Sequence, residues 1–299
     1  MTTPILVQIL DSASAPARPA VAWTERLDHL RAVLAALGSA VVAYSGGVDS
    51  SLLLRVAHEV LGARALGVIG RSDSYAAREL DLALAQAESF GARVEIVTTG
   101  ELSDPNFSSN PERRCYFCKQ ELYRELGEVA RRVGAAAILD GTIADDLVEF
   151  RPGRRAAEES GVRSPLAELG FTKADVRAAA AHFGLAAHDK PASPCLASRI
   201  PHGTEITREN LGMVERGEDL LRSLGFIELR LRHHGDTARI EVPLAELARL
   251  TEPGLRARAV EGLKALGYRY VALDLEGFRS GSLNPDPGRP GRGAPSGTA

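Results

Sequence analysis

Short apolar runs alternate with longer stretches of helical periodicity through the first half of this chain. Leu27, Leu30, Val33, Leu34 and Leu37 share one helical face, and Gly38 stops that helix. Val41-Val42-Ala43-Tyr44 follows as a buried strand, and from Ser51 onward Leu52, Leu53, Val56 and Val60 recur at helical spacing. Ala65 to Gly70 predicts a second buried strand, Tyr75 to Phe90 a helix ending at Gly91, and Val94, Ile96 and Val97 a third strand. Helix Glu121 to Val133 leads through Gly134 to a fourth strand, Ala136 to Asp140. Strands separated by helices of about ten residues or more predict an α/β fold with a doubly wound parallel sheet.

The alternation breaks near Arg151-Pro152-Gly153-Arg154-Arg155. Thr172-Lys173-Ala174-Asp175 has the form of a capping start for a helix from Ala174 to Phe183, stopped by Gly184. Beyond Pro201 the pattern changes. Phe226 to Arg232 and Thr237 to Val242 read as two strands joined across His233-His234-Gly235-Asp236, followed by helix Leu255 to Leu266 and strand Tyr268 to Leu273. The expected organisation is a loose leader over 1–22, an α/β domain over 23–200, a smaller α+β domain over 201–284 and a disordered tail over 285–299.

At 299 residues the chain is long enough to bury a sizeable core. A net charge of −3 gives no basic face for general nucleic-acid binding. No apolar run is long enough to span a bilayer, and the opening Pro4 to Leu10 lacks the basic flank and length of a secretory signal. Three cysteines, an odd number without an export signal, argue against a disulfide framework and for a metal or redox role. A cytoplasmic protein is expected.

The chemistry centres on Ser45-Gly46-Gly47-Val48-Asp49-Ser50-Ser51, between a strand and a helix start. The first N–H groups of a helix lack intrahelical partners and the dipole is positive there, so such a turn receives anions. Gly46 and Gly47 let the backbone approach a phosphate closely. Asp49 is out of place beside a phosphate unless a cation lies between them, which assigns it to Mg²⁺. This is not the Walker pattern, which puts a Lys directly before the Ser. Asp140-Gly141-Thr142-Ile143-Ala144-Asp145-Asp146 leaves the fourth strand on the same side of the sheet; its acids suit a cation, a loop brace or a helix cap. Arg151, Arg154 and Arg155 suit pyrophosphate, a subunit neighbour or plain solvent.

Cys115-Tyr116-Phe117-Cys118 lies in a polar loop at an expected helix start, where the dipole lowers a thiol pKa, and Cys195 lies far along the chain. Three thiolates suit a 4Fe–4S cluster with one open iron. Structural zinc, with His202, His233 or His234 as fourth ligand, and free thiols are the alternatives. Arg230 and Arg232 share one face of their strand and make a fork for phosphate or carboxylate, with Arg199 and Arg239 as further candidates. Adjacent His233 and His234 point opposite ways, so one is structural; Glu218 and Glu241 are weaker candidates for a second cation site.

S-G-G-V-D-S resembles the PP-loop of the ATP pyrophosphatase superfamily, whose adenine nucleotide alpha hydrolase-like members split ATP between the α and β phosphates, adenylate an acceptor and release pyrophosphate. Further matches are Asn110-Pro111, Arg114 to Lys119, Asp140-Gly141-Thr142 with Ala144-Asp145-Asp146, Arg151 to Ala156, Pro194 to Pro201, Arg232 to Asp236 and Gly281 to Asn284. Together they resemble the ATP-dependent sacrificial sulfur transferases of nickel-pincer nucleotide cofactor synthesis, the LarE family, from about Glu25 to Asn284.

That resemblance implies adenylation of the carboxylates of pyridinium-3,5-biscarboxylic acid mononucleotide and their conversion to thiocarboxylates. In some members a single Cys matching Cys195 gives up its sulfur and becomes dehydroalanine. In others three cysteines hold a 4Fe–4S cluster carrying an extra sulfide, and Cys115, Cys118 and Cys195 place this chain with them. Ala43, Ser45, Gly46, Gly47, Asp49, Ser50 and Gly141 are then the expected contacts to ATP and Mg²⁺. Ser198, Arg199, Arg230 and Arg232 are expected on the mononucleotide. The resemblance also implies a homo-oligomer, trimers packing into hexamers, and a sulfide or other sulfur donor. Its rivals are a cluster-bearing tRNA thiolase, disfavoured by the acidic balance, an amidotransferase-like synthetase, which has no use for three cysteines, and a nucleotide-binding regulator without chemistry.

Overall fold

A computed structural model of the chain describes residues 22–147, 152–191 and 193–279. Of the expected features, the leader up to residue 21, Arg151, the 281–284 segment and the 285–299 tail lie outside them. The first half runs α1 (Trp23–Leu37), β1 (Ala40–Ala43), α2 (Val48–Leu61), β2 (Ala65–Arg71), α3 (Ala77–Ser89), β3 (Arg93–Thr98), the single turn α4 (Pro105–Ser108), α5 (Arg114–Val133) and β4 (Ala137–Leu139). The four strands pair in the order β3-β2-β1-β4, all parallel, with Ala40 of β1 in register with Ala65 on one side and Ala137 on the other.

Period-two alternation sends β1 to both faces of this sheet. Ala40 and Val42, with Ala65 and Ile69 of β2, pack under α1, α2 and α8 (Lys173–His182). Val41, Leu66 and Val68 pack against Tyr123, Leu126 and Val129 of α5 and against α6 (Pro152–Glu159). Helices therefore cover both faces, as a doubly wound sheet requires. Leu30, Leu34, Leu52, Leu53 and Leu54 are fully buried, each contributing roughly 1.5–3 kcal/mol of apolar burial.

After β3 the chain crosses to the far side of β1 to lay down β4. The sheet's switch point thus lies between β1 and β4, and the crevice beyond their carboxyl ends is where such folds bind ligands. The loops leaving β1, β2, β3 and β4 all emerge at that edge.

The single turn α7 (Pro165–Glu168) precedes α8, whose expected capping box is present: Thr172 Oγ1 accepts from Asp175 N, and Asp175 accepts from Thr172 N at 2.9 Å. The later part contains α9 (Arg208–Ser223), β5 (Arg230–His234), β6 (Thr237–Glu241), α10 (Leu247–Thr251), α11 (Pro253–Ala265) and β7 (Tyr270–Leu273). β5 pairs antiparallel with β6, which pairs parallel with β7. The hairpin is tighter than expected. His234 pairs with Thr237, so both histidines belong to β5 and only Gly235 and Asp236 turn, Gly235 at φ 59°. Phe226 and Leu229 are buried in the apolar cluster of this part, but they precede the ladder. A separate cluster of Phe107, Leu196, Ala197, Ile200, Ile206, Leu211 and Val214 ties segments before and after Pro201 together.

α5 also differs from expectation, beginning at Arg114 rather than Glu121. The cysteine pair therefore lies in its first two turns and not in a preceding loop.

Candidate active site

The PP-loop is built as a rigid cup. Tyr44 donates from its backbone N to Val68 O at 2.9 Å and from its hydroxyl to Ala83 O at 2.8 Å, seating the loop on β2 and α3. Gly46 has φ 68°, and a Cβ there would stand 2.6 Å from that of Ala83, so only glycine fits. The Ser50 hydroxyl braces the loop from inside, accepting from Ser45 N at 3.2 Å and donating to Gly47 O at 3.1 Å. Gly47 is the N-cap of α2, with no side chain occupying the cap, which leaves the first N–H groups of a 14-residue helix directed at the cup.

The Asp140–Thr142 turn closes the cup from β4. Asp140 is consumed in shaping it: its carboxylate accepts from Tyr123 Oη at 3.0 Å, Thr142 N at 3.1 Å, Thr142 Oγ1 at 3.0 Å and Ser164 Oγ at 2.7 Å. A Cβ on Gly141 would lie 2.8 Å from Ser50 N and 3.0 Å from Ser50 Cα. Because those atoms are backbone, an added methyl must push the PP-loop aside. Gly141→Ala is expected to cost roughly 1–3 kcal/mol of stability by overpacking. It should also weaken nucleotide binding; urea denaturation and calorimetric titration with ATP check both.

Asp49, the second residue of α2, does not present a free carboxylate. Lys173 Nζ sits 2.7 Å from both of its oxygens. Asp145 holds the start of α8 through Lys173 N at 2.7 Å, which makes it a loop brace. With its carboxylate already neutralised, Asp49 is a poor fit to a lone Mg²⁺ ligand.

The three cysteines converge from α5 and from the segment before α9. All are free; Cys115 keeps an exposed surface, while Cys118 and Cys195 are half-buried against the Phe107, Leu196 and Ile206 cluster. Burial and the nearby Cys195 push the Cys115 thiol up, against the pull of Arg114 and Lys119. Burial, then Glu101 and Cys195, push Cys118 further up. The expected lowering by the helix start is therefore reversed, since desolvation and neighbouring negative charge outweigh the half-charge of a helix terminus. An iron centre would remove that penalty by supplying positive charge, and thiols are the donor type a cluster takes, but among the described residues the three are not gathered closely enough to hold one ion as they stand.

The zinc alternative is not assembled. His202 Nδ1 lies 3.2 Å from Arg114 Nη1, and buried His233 bonds Tyr268 Oη at 3.1 Å, leaving His234 exposed. Among the described residues, no three His, Cys, Asp or Glu side chains gather closely enough to hold one ion.

Buried arginines lie behind the Cys195 loop. Arg199, 2% exposed, clasps Glu218 through Nε at 2.8 Å and Nη2 at 3.1 Å. Its Nη1 donates to Cys195 O and Ser198 Oγ, both at 3.0 Å. It thus shapes the cysteine loop. Arg232 donates to Ser198 O at 3.0 Å and to fully buried Glu241 at 2.8 Å, which also accepts from Arg239. Glu218 and Glu241 are therefore counter-ions of arginines in this structure and not open cation ligands. Burial, then the charge of Arg199 and of Arg232 and Arg222, lowers Arg230 to about 10, opposed by Glu218. It remains a cation at neutral pH, and this concentration of guanidinium charge suits an anionic guest.

Residues not singled out from sequence join these parts. Tyr75 donates to Ser45 O of the PP-loop at 2.9 Å, while Ser74 O accepts Leu196 N of the cysteine loop at 2.8 Å. Buried Asn110, at φ 57°, donates to Pro201 O at 2.8 Å and Thr204 O at 2.9 Å and accepts from Arg114, locking the α5 start to the segment after Cys195. Asn110 and Arg114 stood within matching motifs, but Tyr75 and Ser74 carried no signal beyond a polar turn.

No family model matches the chain. It is 45% identical over 259 residues, 87% of its length and 97% of the relative's, to an uncharacterized protein of Synechocystis. It is 42% identical over 256 residues, 85% of its length and 92% of the relative's, to the pyridinium-3,5-bisthiocarboxylic acid mononucleotide synthase of Lactiplantibacillus plantarum. A more distant likeness, 28% over 198 residues, 62% of this chain and 63% of the relative, is to one of the polypeptides of the glutamine-hydrolyzing GMP synthase of Thermoplasma volcanium. A parallel sheet with an open anion-binding turn at its switch point, flanked by converging thiols, accords with the second of these, and the chain belongs to the LarE family of pyridinium-3,5-bisthiocarboxylic acid mononucleotide synthases.

Proposed function

We propose that this protein uses ATP to adenylate the carboxylates of pyridinium-3,5-biscarboxylic acid mononucleotide and converts them to thiocarboxylates for nickel-pincer nucleotide cofactor synthesis. The observation that carries the reading is the 72–75 loop, hydrogen-bonded to the PP-loop on one side and to the Cys195 loop on the other. It sets the adenylating turn and the thiols along one wall. A substrate carboxylate oxygen attacks the α-phosphorus, the bond to the β-phosphate oxygen breaks and pyrophosphate leaves. The PP-loop N–H groups and the α2 terminus stabilise the charge that develops there. A sulfur nucleophile then adds to the acyl carbon, and AMP departs with the original carboxylate oxygen. Arg230 and Arg232 hold the mononucleotide's phosphate or carboxylate, Ser198 lies beside them, and Arg199 acts through the loop it braces.

Cys115, Cys118 and Cys195 would hold a 4Fe–4S cluster, which when bound would supply an iron-held sulfide as the sulfur source without consuming the protein. With this reading go residues 23–200 as the adenylating domain, 201–284 as the substrate and assembly domain, and a trimeric or hexameric protein.

The test is anaerobic reconstitution with iron and sulfide, followed by ATP, Mg²⁺ and the biscarboxylate mononucleotide, with intact mass taken before and after. More than one sulfur transferred per chain at unchanged mass supports the reading. Loss of the mass of hydrogen sulfide from Cys195 in a cluster-free protein would instead make the chain its own sulfur donor. A salt-dependent gel shift with tRNA would favour the thiolase.

A further inference from the structure

Glu101 is a buried acid for which the adenylation chemistry has no use. It follows β3, at the sheet edge where the PP-loop also emerges, and Gly100 N, donating to Glu121 Oε1 at 2.7 Å, fixes the backbone before it. The residue is 2% exposed. Its Oε1 accepts from Ser74 Oγ at 2.9 Å, and the carbonyl of that same serine holds Leu196 N of the Cys195 loop at 2.8 Å. Its Oε2 is buried and has no hydrogen-bond partner among the described residues. Burial aside, the charge of Glu101 does most to push the Cys118 thiol up, so the carboxylate stands against the thiol pocket. A carboxylate oxygen left bare out of water is costly, and a guest that brings positive charge relieves it.

We propose that Glu101 selects a cationic ring: its buried carboxylate balances the positive charge of the substrate's pyridinium while an activated carboxyl carbon is held at the thiols. This deepens the substrate reading above and rests on it. The phosphate and carboxylates of that mononucleotide are anions and suit Arg230 and Arg232, but the same guanidiniums repel a quaternary ring nitrogen. The carbon that sulfur attacks is bonded directly to the ring, so a ring placed for transfer stands beside the thiols and within the field of Glu101. Charges in a dry pocket are poorly screened, and no direct contact is needed. Glu101 is thus a positioning residue. The ring keeps its charge when a carboxylate becomes a thiocarboxylate, so the same carboxylate serves both transfers.

The test is calorimetric titration of the full chain, in the presence of α,β-methylene-ATP, with two ligands. One is pyridinium-3,5-biscarboxylic acid mononucleotide; the other is its 1,4-dihydropyridine, made by dithionite reduction, which keeps the phosphate, ribose and carboxylates but has a neutral ring. The wild type is expected to prefer the cationic ring by about 10-fold or more, the effect of one poorly screened charge. Glu101→Gln keeps an acceptor for Ser74 and should lose that preference while binding the dihydropyridine as the wild type does. Glu101→Asp, which keeps the charge, should retain most of it. Because Glu101→Gln removes a buried charge without a partner, its urea midpoint should hold or rise. An unchanged preference in Glu101→Gln, or equal losses for both ligands with a lowered midpoint, would make Glu101 structural and overturn the proposal. Equal binding of the two ligands by the wild type would overturn it as well and leave the substrate reading standing, whereas a wild type that binds neither would overturn that reading and this proposal with it. Circular dichroism establishes that the variants fold; should Glu101→Gln not fold, Glu101→Met carries the same comparison.

Discussion

Cys195→Ala is expected to abolish thiocarboxylate formation while pyrophosphate release on addition of substrate and ATP persists. The cup is built from β1, β4, α2 and α3, and among the described residues no hydrogen bond joins the Cys195 side chain to it; its loop is tied to the 72–75 turn by Leu196 N to Ser74 O. The two half-reactions should therefore separate, with product assayed by mass spectrometry and pyrophosphate by a coupled assay. A variant that still makes thiocarboxylate would remove Cys195 from the sulfur pathway. Cys115→Ala divides the two sulfur sources. If three thiols act together, it loses multiple turnover and any iron–sulfur absorbance. If Cys195 alone gives up its sulfur, it still supports a single transfer and Cys195 becomes dehydroalanine.

Glu218→Gln is expected to destabilise the protein by about 3–5 kcal/mol, because it removes one partner of a buried ion pair and leaves the other uncompensated. Glu218 and Arg199 are each 2% exposed, and Arg222 reaches the same carboxylate at 2.8 Å. Against a usual total of about 5–15 kcal/mol, that loss is large, and urea denaturation would register it as a lowered midpoint. The effect has a pH signature. Burial alone would raise the Glu218 pKa, but Arg199 and Arg222 together outweigh it and hold the group below the ordinary carboxylate value. A depressed acid contributes stability that is fully present above the unfolded pKa of about 4.3 and lost as pH falls through the lower folded value. The wild-type advantage over Glu218→Gln should therefore shrink below about pH 4. An advantage constant from pH 7 to pH 3 would mean the pair contributes nothing through its charge.

Local signals carried much of this fold. Apolar runs set between helices that end at glycines located the four parallel strands, and the Thr172–Asp175 cap was readable because a capping box is encoded within four residues. The start of α5 was missed because Arg114, Lys119 and Gln120 interrupt the apolar period that marks a helix, although Tyr116, Phe117 and Cys118 pack against apolar clusters. Phe226, Ile227 and Leu229 were apolar enough to read as strand, yet Phe226 and Leu229 bury in the cluster shared with α9 and α11 before the ladder begins, while Ile227 is exposed. The Ser45–Ser51 turn was legible as a contiguous motif. Its charge partners were not: Lys173 with Asp49, Arg199 with Glu218 and Arg232 with Glu241 meet only after the chain has folded, and no spacing announces them. Gly141 was expected near the nucleotide from the family resemblance, but the reason it must be glycine, the approach of Ser50 backbone, is a tertiary fact.

The upward-shifted thiols of Cys115 and Cys118 bear on the life of the newly made chain. Thiolate, not thiol, attacks disulfides and alkylating agents, so the rate of both reactions falls with the ionised fraction. With their thiols pushed up, these two side chains are mostly un-ionised at neutral pH and slow to react, even though Cys115 is reachable from solvent. Mixed-disulfide formation and alkylation at these two positions are therefore slower than at an ordinary exposed cysteine.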